Sequence, residues 1–495
     1  MGIVFRQSIK TTIVIFTGAV LGALLLYISM QYLPKVELGF IRNLTNQAVV
    51  GGQFIMFGLP VSMTVFIHRY DDNDKRKGLL LTLCFIIPFV FLAFATLVYY
   101  LFHDQVISLF KPQDIPLISR YFIWLPIFSL LYISQTLLEQ YLNSQMKVAL
   151  ATFMREVVLR VLNIGVIILY AVGFIDFDKL VAGMVLIYLI PIFCLLYFAS
   201  KTKSFQFSFD LKAYTSTEYK EFRHFARYQA LLIISMNMMG FLDSLLLAPL
   251  AKTGLQAVAL YTPAVFILSV MQIPYKAMVT ASFPVLARAF KDNDMVKAKD
   301  IFTRSSINIL IGGVAMAVII GCNLSNAVAI SKKGYEAITP LVLIMMIGRL
   351  IDMSTGMNDQ VLGVSKYYKY NFYLSGLLVS SMIVFDLIFI PRYGIYGAAW
   401  GTTFSFGLYN IFKMLFLWKK LRMQPFSKRS LLVLLAGALA ALFGYFMPYI
   451  YNPFIDTAAR TIVIGVIYIL FLLWFKPSPD MVHYISTVRQ NKRLF

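Results

Sequence analysis

The sequence predicts an all-α membrane protein of about fourteen transmembrane helices. Three observations carry that reading. Hydrophobic residues fill 59% of the 495 positions, charged residues only 14%, and mean hydropathy is +0.76. A water-soluble chain of this length needs far more polar surface. Apolar runs of about 20 residues, the length that spans a hydrocarbon core, recur with short polar gaps between them. Basic residues collect in alternate gaps, as the positive-inside rule requires.

The runs place helices near residues 11–32, 46–68, 79–102, 121–142, 149–171, 179–199, 226–249, 257–284, 305–328, 336–357, 370–390, 394–417, 429–449 and 458–475. An even number puts both termini on one side. With that side cytoplasmic, the inner segments hold about thirty Lys and Arg and the outer loops about ten. The richest inner loops are Arg69–Lys77, Lys201–Arg227, Arg288–Arg304 and Lys413–Arg429, and the tail with Lys492 and Arg493 is also inside. Arg6 and Lys10 precede the first run. That run is longer than a signal core and no small-residue cleavage site follows it, so it reads as a retained helix.

Several function classes drop out. The net charge of +21 is accounted for by inner loops and needs no nucleic acid. Cys84, Cys194 and Cys322 are isolated in apolar runs, where they act as small packing residues. His68, His103, His224 and His483 fall at helix ends or in loops, with no metal-ligand or nucleophile spacing around them. The predicted outer loops are short and hold no catalytic cluster, so the chain is not expected to be an enzyme.

No soluble domain is present. The longest polar interval, about Ser200–Phe225, divides the first twelve helices into two sets of six. The expected organisation is residues 1–200, a cytoplasmic linker 201–225, residues 226–420, and a C-terminal appendage 421–495 with helices 13 and 14. Within the linker, Tyr219, Phe222 and Phe225 alternate with Lys220, Glu221 and Arg223, which predicts a short interfacial amphipathic helix over Thr217–Phe225. A faint repeat links the halves. Predicted helix 2 contains Pro60 and runs into Asp72-Asn73-Asp74; helix 8 contains Pro274 and Pro284 and runs into Asp292-Asn293-Asp294. Repeats of this kind are common in secondary transporters, with substrate bound between the halves.

Three stretches resemble a known family. Met236–Leu247 reads MNMMGFLDSLLL, Ala257–Ala287 reads AVALYTPAVFILSVMQIPYKAMVTASFPVLA, and Leu387–Thr403 reads LIFIPRYGIYGAAWGTT. Together they resemble the polysaccharide-transporter branch of the multidrug/oligosaccharidyl-lipid/polysaccharide (MOP) exporters. That branch includes bacterial O-antigen-unit flippases and is related to the lipid II flippase. The resemblance implies two six-helix bundles around a central cavity. It implies flipping of an undecaprenyl-pyrophosphate-linked oligosaccharide from the inner to the outer leaflet of a bacterial cytoplasmic membrane by alternating access. The expected partners are that lipid-linked substrate, membrane lipids, a polysaccharide polymerase and glycosyltransferases, with the chain itself a monomer.

A pyrophosphate entering a low-dielectric region requires fixed cations. Arg160 lies roughly 16 Å from the inner end of predicted helix 5, and Lys276 and Arg349 roughly 12 Å from the inner ends of helices 8 and 10. Arg155 sits nearer the interface, at the entrance. The alternative is internal pairing: Glu156 with Arg160 at i,i+4, Arg349 with Asp352 at i,i+3, and Arg155 snorkelling to headgroups. The related lipid II flippase carries cavity arginines in helices 1, 2 and 8. The predicted membrane portions of those helices carry no arginine here, a departure from that pattern, and Lys276 is their one cation. A second set, Asp243, Asp386, Thr402 and Thr403, falls at similar depth and suits sodium or proton coupling. The lipid II flippase has a sodium site joining helices 7, 11 and 12. Asp243 matches its helix-7 acid, and Asp386 stands where Asn is usual. The alternatives are that Asp243 caps a buried backbone group and that Asp386 pairs with Arg392. Competing functions are a multidrug or cation antiporter of the same superfamily and a membrane polysaccharide polymerase or ligase.

Overall fold

A computed structural model describes residues 2–71, 74–202, 204–210, 213–331 and 334–481, with backbone alone at 2–9, 228 and 231–240. The described residues are helical throughout, without strands, and form two compact units, 1–259 and 260–495. Asp72 and Asn73 of the first Asp-Asn-Asp loop, and Lys492 and Arg493 of the tail, lie outside the described residues.

The first unit holds α1 (Gly2–Tyr32), α2 (Lys35–Met56), α3 (Leu59–Phe66), α4 (Lys75–Leu101), α5 (His103–Ser108) and α6 (Ile115–Arg120). It continues with α7 (Trp124–Ser144), α8 (Val148–Phe153), α9 (Leu159–Ala171), α10 (Phe177–Leu186), α11 (Leu189–Ser200) and α12 (Ser216–Leu250). A π-helical turn, Met154–Val158, joins α8 to α9. The start of α13 (Leu255–Met271) also lies here. Helix α2 packs on α7 and α12, α1 on α8 and α9, and α11 on α7.

The second unit holds the rest of α13, then α14 (Ile273–Lys291), α15 (Met295–Ile330), α16 (Ile338–Ser354), α17 (Asn358–Val364), α18 (Tyr368–Tyr393), α19 (Ile395–Leu421), α20 (Lys428–Phe446) and α21 (Pro453–Phe475). Helix α19 packs along α18 and α16, while α20 and α21 pack on α15. The small residues Gly397, Ala398, Ala399 and Gly401 are buried on α19. At Gly397 a Cβ would meet the Phe389 carbonyl oxygen at 2.3 Å, so α18 and α19 touch backbone to backbone there.

Eight of the described helices are long and apolar enough to cross a membrane, and ten if each bent pair counts as one span. The pairs are α2 with α3, bent by 51°, and α16 with α17, bent by 40°. Both bends need glycine. Gly58 has φ +73° and Gly356 φ +68°; a Cβ there would strike the Ala230 backbone nitrogen at 2.5 Å or the Ser306 hydroxyl at 2.0 Å. Pro60 and Pro274 each occupy the first turn of the helix after a break, α3 and α14, where a missing N–H costs nothing. Asp74 and Asp294 then cap the next long helices, accepting from Arg76 N at 2.8 Å and Lys297 N at 2.9 Å. The repeat read in the sequence is thus a shared backbone pattern of break, proline and cap.

Three expectations need correction. Predicted helix 2 starts eleven residues early, at Lys35, because burial inside the unit tolerates a polar stretch that hydropathy rejects. Thr217–Phe225 is no separate interfacial helix. It is the first part of α12, begun by a Thr215–Glu218 capping box. Phe222 is buried, and the rings of Phe222 and Phe225 lie 5.5 and 5.4 Å from Phe66. Lys413 is not in a loop; it is fully buried on α19.

Arg76 ties the linker down. Its guanidinium bonds Asp74 at 2.7 Å and Glu218 at 3.0 Å. Arg76 holds Asp74 below its ordinary 3.8, and the Thr215 cap with Arg76 holds Glu218 below 4.5. Depressed carboxylates contribute fully above their unfolded values and lose that contribution as pH falls through the folded ones. Limited proteolysis of the 200–216 segment should therefore stay constant from neutral pH to about pH 5 and rise only below about pH 4.5. Arg76→Gln should raise it already at neutral pH.

Candidate functional site

In the first unit, Glu139, Arg155, Glu156 and Arg160 form one ladder of charges. Helix α7 presents Glu139, whose side chain is 5% exposed, and the π turn presents Arg155 and Glu156. A π turn adds a residue to the helical repeat and re-aims the side chains around it, which is why such turns recur at functional sites. Arg155 Nη1 donates to Glu139 at 2.9 Å, and its Nε to Glu156 at 3.2 Å. Arg160 donates to Glu156 at 2.5 Å and to the carbonyl of Gly18 on α1. Gly18 is needed for this approach, since a Cβ would meet Glu156 Cβ at 2.8 Å. The ladder is electrically balanced, with two guanidiniums and two carboxylates. Arg155 still leaves 51% of its side chain exposed and Arg160 29%.

In the second unit a network surrounds the α16–α17 break. Arg349 lies 3.5 Å from Asp352, and its guanidinium stacks 4.7 Å from the Phe406 ring centre. With the Gln272 amide oriented oxygen-first, Gln272 accepts from Arg349 at 2.5 and 3.2 Å. Asn410 donates to Asp352 at 3.2 Å and accepts from Thr355 at 2.8 Å. Beyond the break, Asp359 accepts from Tyr409 at 2.9 Å and pairs with the buried Lys413. Again the formal charges balance.

Lys276 differs. It lies on α14, one turn after Gln272, within an apolar span, and its side chain is exposed. It forms no ion pair among the described residues. Both internal pairings foreseen for Arg160 and Arg349 are formed, so Lys276 is the one of the four predicted substrate cations that carries an uncompensated charge. Gln272, which accepts from Arg349, precedes Lys276 by one turn on the same chain segment.

The predicted coupling residues divide. Asp243 is buried on α12 of the first unit. In the second unit, Asp386 on α18 is fully buried against Gly401, where a Cβ would come within 2.6 Å of its carboxylate. Thr402 and Thr403 are buried on α19, but the Thr403 hydroxyl donates to the Ile344 carbonyl of α16 at 3.0 Å. That hydroxyl ties α16 to α19. No group of three or more His, Cys, Asp or Glu residues suits a metal ion among the described residues.

Residues missed from the sequence are Glu139, Asp359, Tyr409, Lys413 and Arg42. The partners of Glu139 and Lys413 lie 16 and 54 positions away, beyond any helical spacing. A lone acid in an apolar run is the signal that exposes Glu139.

No protein-family model matches the sequence, and no curated protein matches it. The fold does match solved structures. The lipid II flippase MurJ, in an inward closed conformation, aligns with a TM-score of 0.73 at 14% identity, covering 96% of this chain and 100% of that one. An inward-facing multidrug resistance MATE family transporter of the MOP superfamily gives 0.68 at 16% identity, over 82% and 94%. A MOP superfamily transporter from Pyrococcus furiosus, described as having a binding pocket of reverse polarity, gives 0.54 at 14%, over 84% and 96%. The chain therefore has the fold that MurJ shares with MATE transporters, and it is a multi-pass helical membrane protein.

Removing Arg155 leaves the buried Glu139 carboxylate with the Gln135 amide, at 2.7 Å, as its remaining donor. Arg155→Ala should lower stability by about 2 kcal/mol, the worth of one hydrogen bond to a charged group. Arg155→Ala with Glu139→Gln should recover most of it. Melting of the purified single and double variants measures the coupling.

Proposed function

We propose that this chain is a transporter, and specifically a flippase that moves an undecaprenyl-pyrophosphate-linked oligosaccharide from the cytoplasmic to the outer leaflet of a bacterial inner membrane. Its product would feed cell-surface polysaccharide synthesis, as O-antigen units do, through a polymerase and upstream glycosyltransferases. The observation that carries the reading is Lys276. An exposed, uncompensated ammonium inside an apolar span is costly unless an anion comes to it. A lipid pyrophosphate supplies that anion. Arg349, held beside Gln272, and Arg155 and Arg160 in the first unit are the further cations proposed to meet it.

Several points support a flippase over a cation antiporter. The alignment with the lipid II flippase spans 96% of this chain, against 82% for the MATE transporter. Helices α7, α8–α9, α12 and α19 join the ten candidate spans as the proposed remaining crossings, which makes fourteen with both termini cytoplasmic. We assign residues 1–200 and 226–420 as the two functional bundles and 421–495 as the appendage, in a monomer. A cationic drug gains nothing from Lys276.

Asp243 and Asp386 are the proposed coupling acids, for sodium or a proton. Both carboxylates are buried within apolar helices, where acids are costly and mark ion pathways. The tests run in vesicles carrying a polyprenyl-pyrophosphate oligosaccharide. Lys276→Ala and Arg349→Ala should each cut flipping about 10- to 100-fold, the worth of one charge-assisted hydrogen bond. Normal flipping by an inserted Arg160/Lys276/Arg349 triple alanine variant would overturn the assignment. Asp243→Asn should abolish ion dependence; unchanged transport with unchanged ion dependence would remove Asp243 from the coupling role.

A further inference from the structure

A second cation, Arg42, occupies a setting unlike that of the four proposed for substrate. It lies on α2, roughly 10 Å from the start of that helix. A cavity of about 120 Å3 opens beside it within the first unit. Leu25 of α1, Phe128 of α7, Asn163 of α9, Val181 of α10 and Tyr188 at the α10–α11 break line that cavity. The Arg42 Nε is buried and has no hydrogen-bond partner among the described residues. Among the described residues no carboxylate pairs with Arg42; Tyr188 lines the same cavity, and the charge of Arg160 acts on it unfavourably. Arg160 is itself committed to Glu156 and to the Gly18 carbonyl.

A guanidinium keeps its charge under all ordinary conditions. Arg42 is half-buried with its Nε fully buried, so its charge is only partly hydrated and is stabilised by a counter-charge within reach. An anion from solution entering the cavity supplies what no acidic side chain among the described residues does. The donors in the cavity fix its class. The Thr45 hydroxyl is spent on the Ile41 carbonyl at 2.8 Å, and the Asn163 amide N–H on the Leu159 carbonyl at 2.8 Å. That leaves the Arg42 guanidinium, the Tyr188 phenol and the second N–H of the Asn163 amide, facing largely apolar walls. Three donor groups and one positive charge match a single, weakly hydrated negative charge. A phosphate, with more charge and four oxygens to satisfy, does not fit that set.

We infer that the cavity around Arg42 binds a small monovalent inorganic anion of the halide type, as a structural counterion inside the first unit. This site is separate from the proposed substrate cations and does not depend on what the protein transports.

The test uses the purified full chain in detergent. Melting is followed in sodium chloride, sodium gluconate and sodium phosphate at equal ionic strength. Chloride should raise the midpoint by about 2–4 °C over gluconate, as a ligand of the folded state does. Phosphate should behave as gluconate does. Arg42→Gln should abolish the difference between chloride and gluconate. Asn163→Asp, which places a carboxylate in the same cavity, should melt identically in both salts and at least as high as the native chain does in chloride. This second variant keeps the inference testable if Arg42→Gln fails to fold. In crystals grown from sodium bromide, an anomalous peak should lie beside Arg42. Equal melting of the native chain in chloride and gluconate would overturn the inference, and so would a bromide map with no peak in the cavity. A phosphate effect matching that of chloride would overturn the monovalent assignment.

Discussion

A charge that enters hydrocarbon must find a counter-charge, and most of the polar architecture here follows from that requirement. Both units meet it with side chains of their own. Glu139 and Glu156 neutralise Arg155 and Arg160 in the first; Asp352 and Asp359 neutralise Arg349 and Lys413 in the second. Helix α21 of the second unit does the same, where Asp456 and Arg460 pair at 3.0 Å and Asp456 also takes the amide of Asn326 on α15 at 2.6 Å. Against this background the exceptions stand out. Lys276 is exposed along a span, where a passing ligand can reach it. Arg42 faces a cavity, where only something small can. One setting suits traffic and the other a resident ion.

The charges coincide with irregular backbone. Arg155 and Glu156 ride on the π turn, Gln272 stands at the α13–α14 break, and Asp352 and Asp359 flank the turn at Gly356. Broken helices leave backbone groups without intrahelical partners, and in a membrane such groups are tolerated only in protein or against a polar cavity. The breaks and the charges therefore stabilise one another, since each supplies the polar surroundings the other needs. That is the arrangement in which discontinuous helices serve binding sites in secondary transporters.

Much of this was legible in the sequence, for identifiable reasons. Apolar runs locate helices because the membrane tolerates little else, and Pro60 and Pro274 marked the second helix of each half because proline is cheap only in a first turn. The Glu156–Arg160 and Arg349–Asp352 pairs followed from helical spacing. What escaped was set by tertiary contact. Arg42 lay in a stretch that reads K-V-E-L-G-F-I-R-N, too polar for a hydropathy window, although the folded unit surrounds it. Lys413 read as an inner-loop cation because Lys419, Lys420 and Arg422 follow it. Nothing near it in the chain announces that Asp359 waits across the helix pair. The Thr403 hydroxyl donates to the Ile344 carbonyl of α16, a contact between helices that sequence does not encode.

The central claim is that the anion drawn to Lys276 is a lipid pyrophosphate. Mass spectrometry of polyprenyl-linked intermediates, resolved by leaflet in cells lacking this chain, tests it most directly. The account predicts a completed oligosaccharide-pyrophosphate-lipid accumulating in the cytoplasmic leaflet. An unchanged set of intermediates, with altered sensitivity to cationic drugs instead, would contradict it.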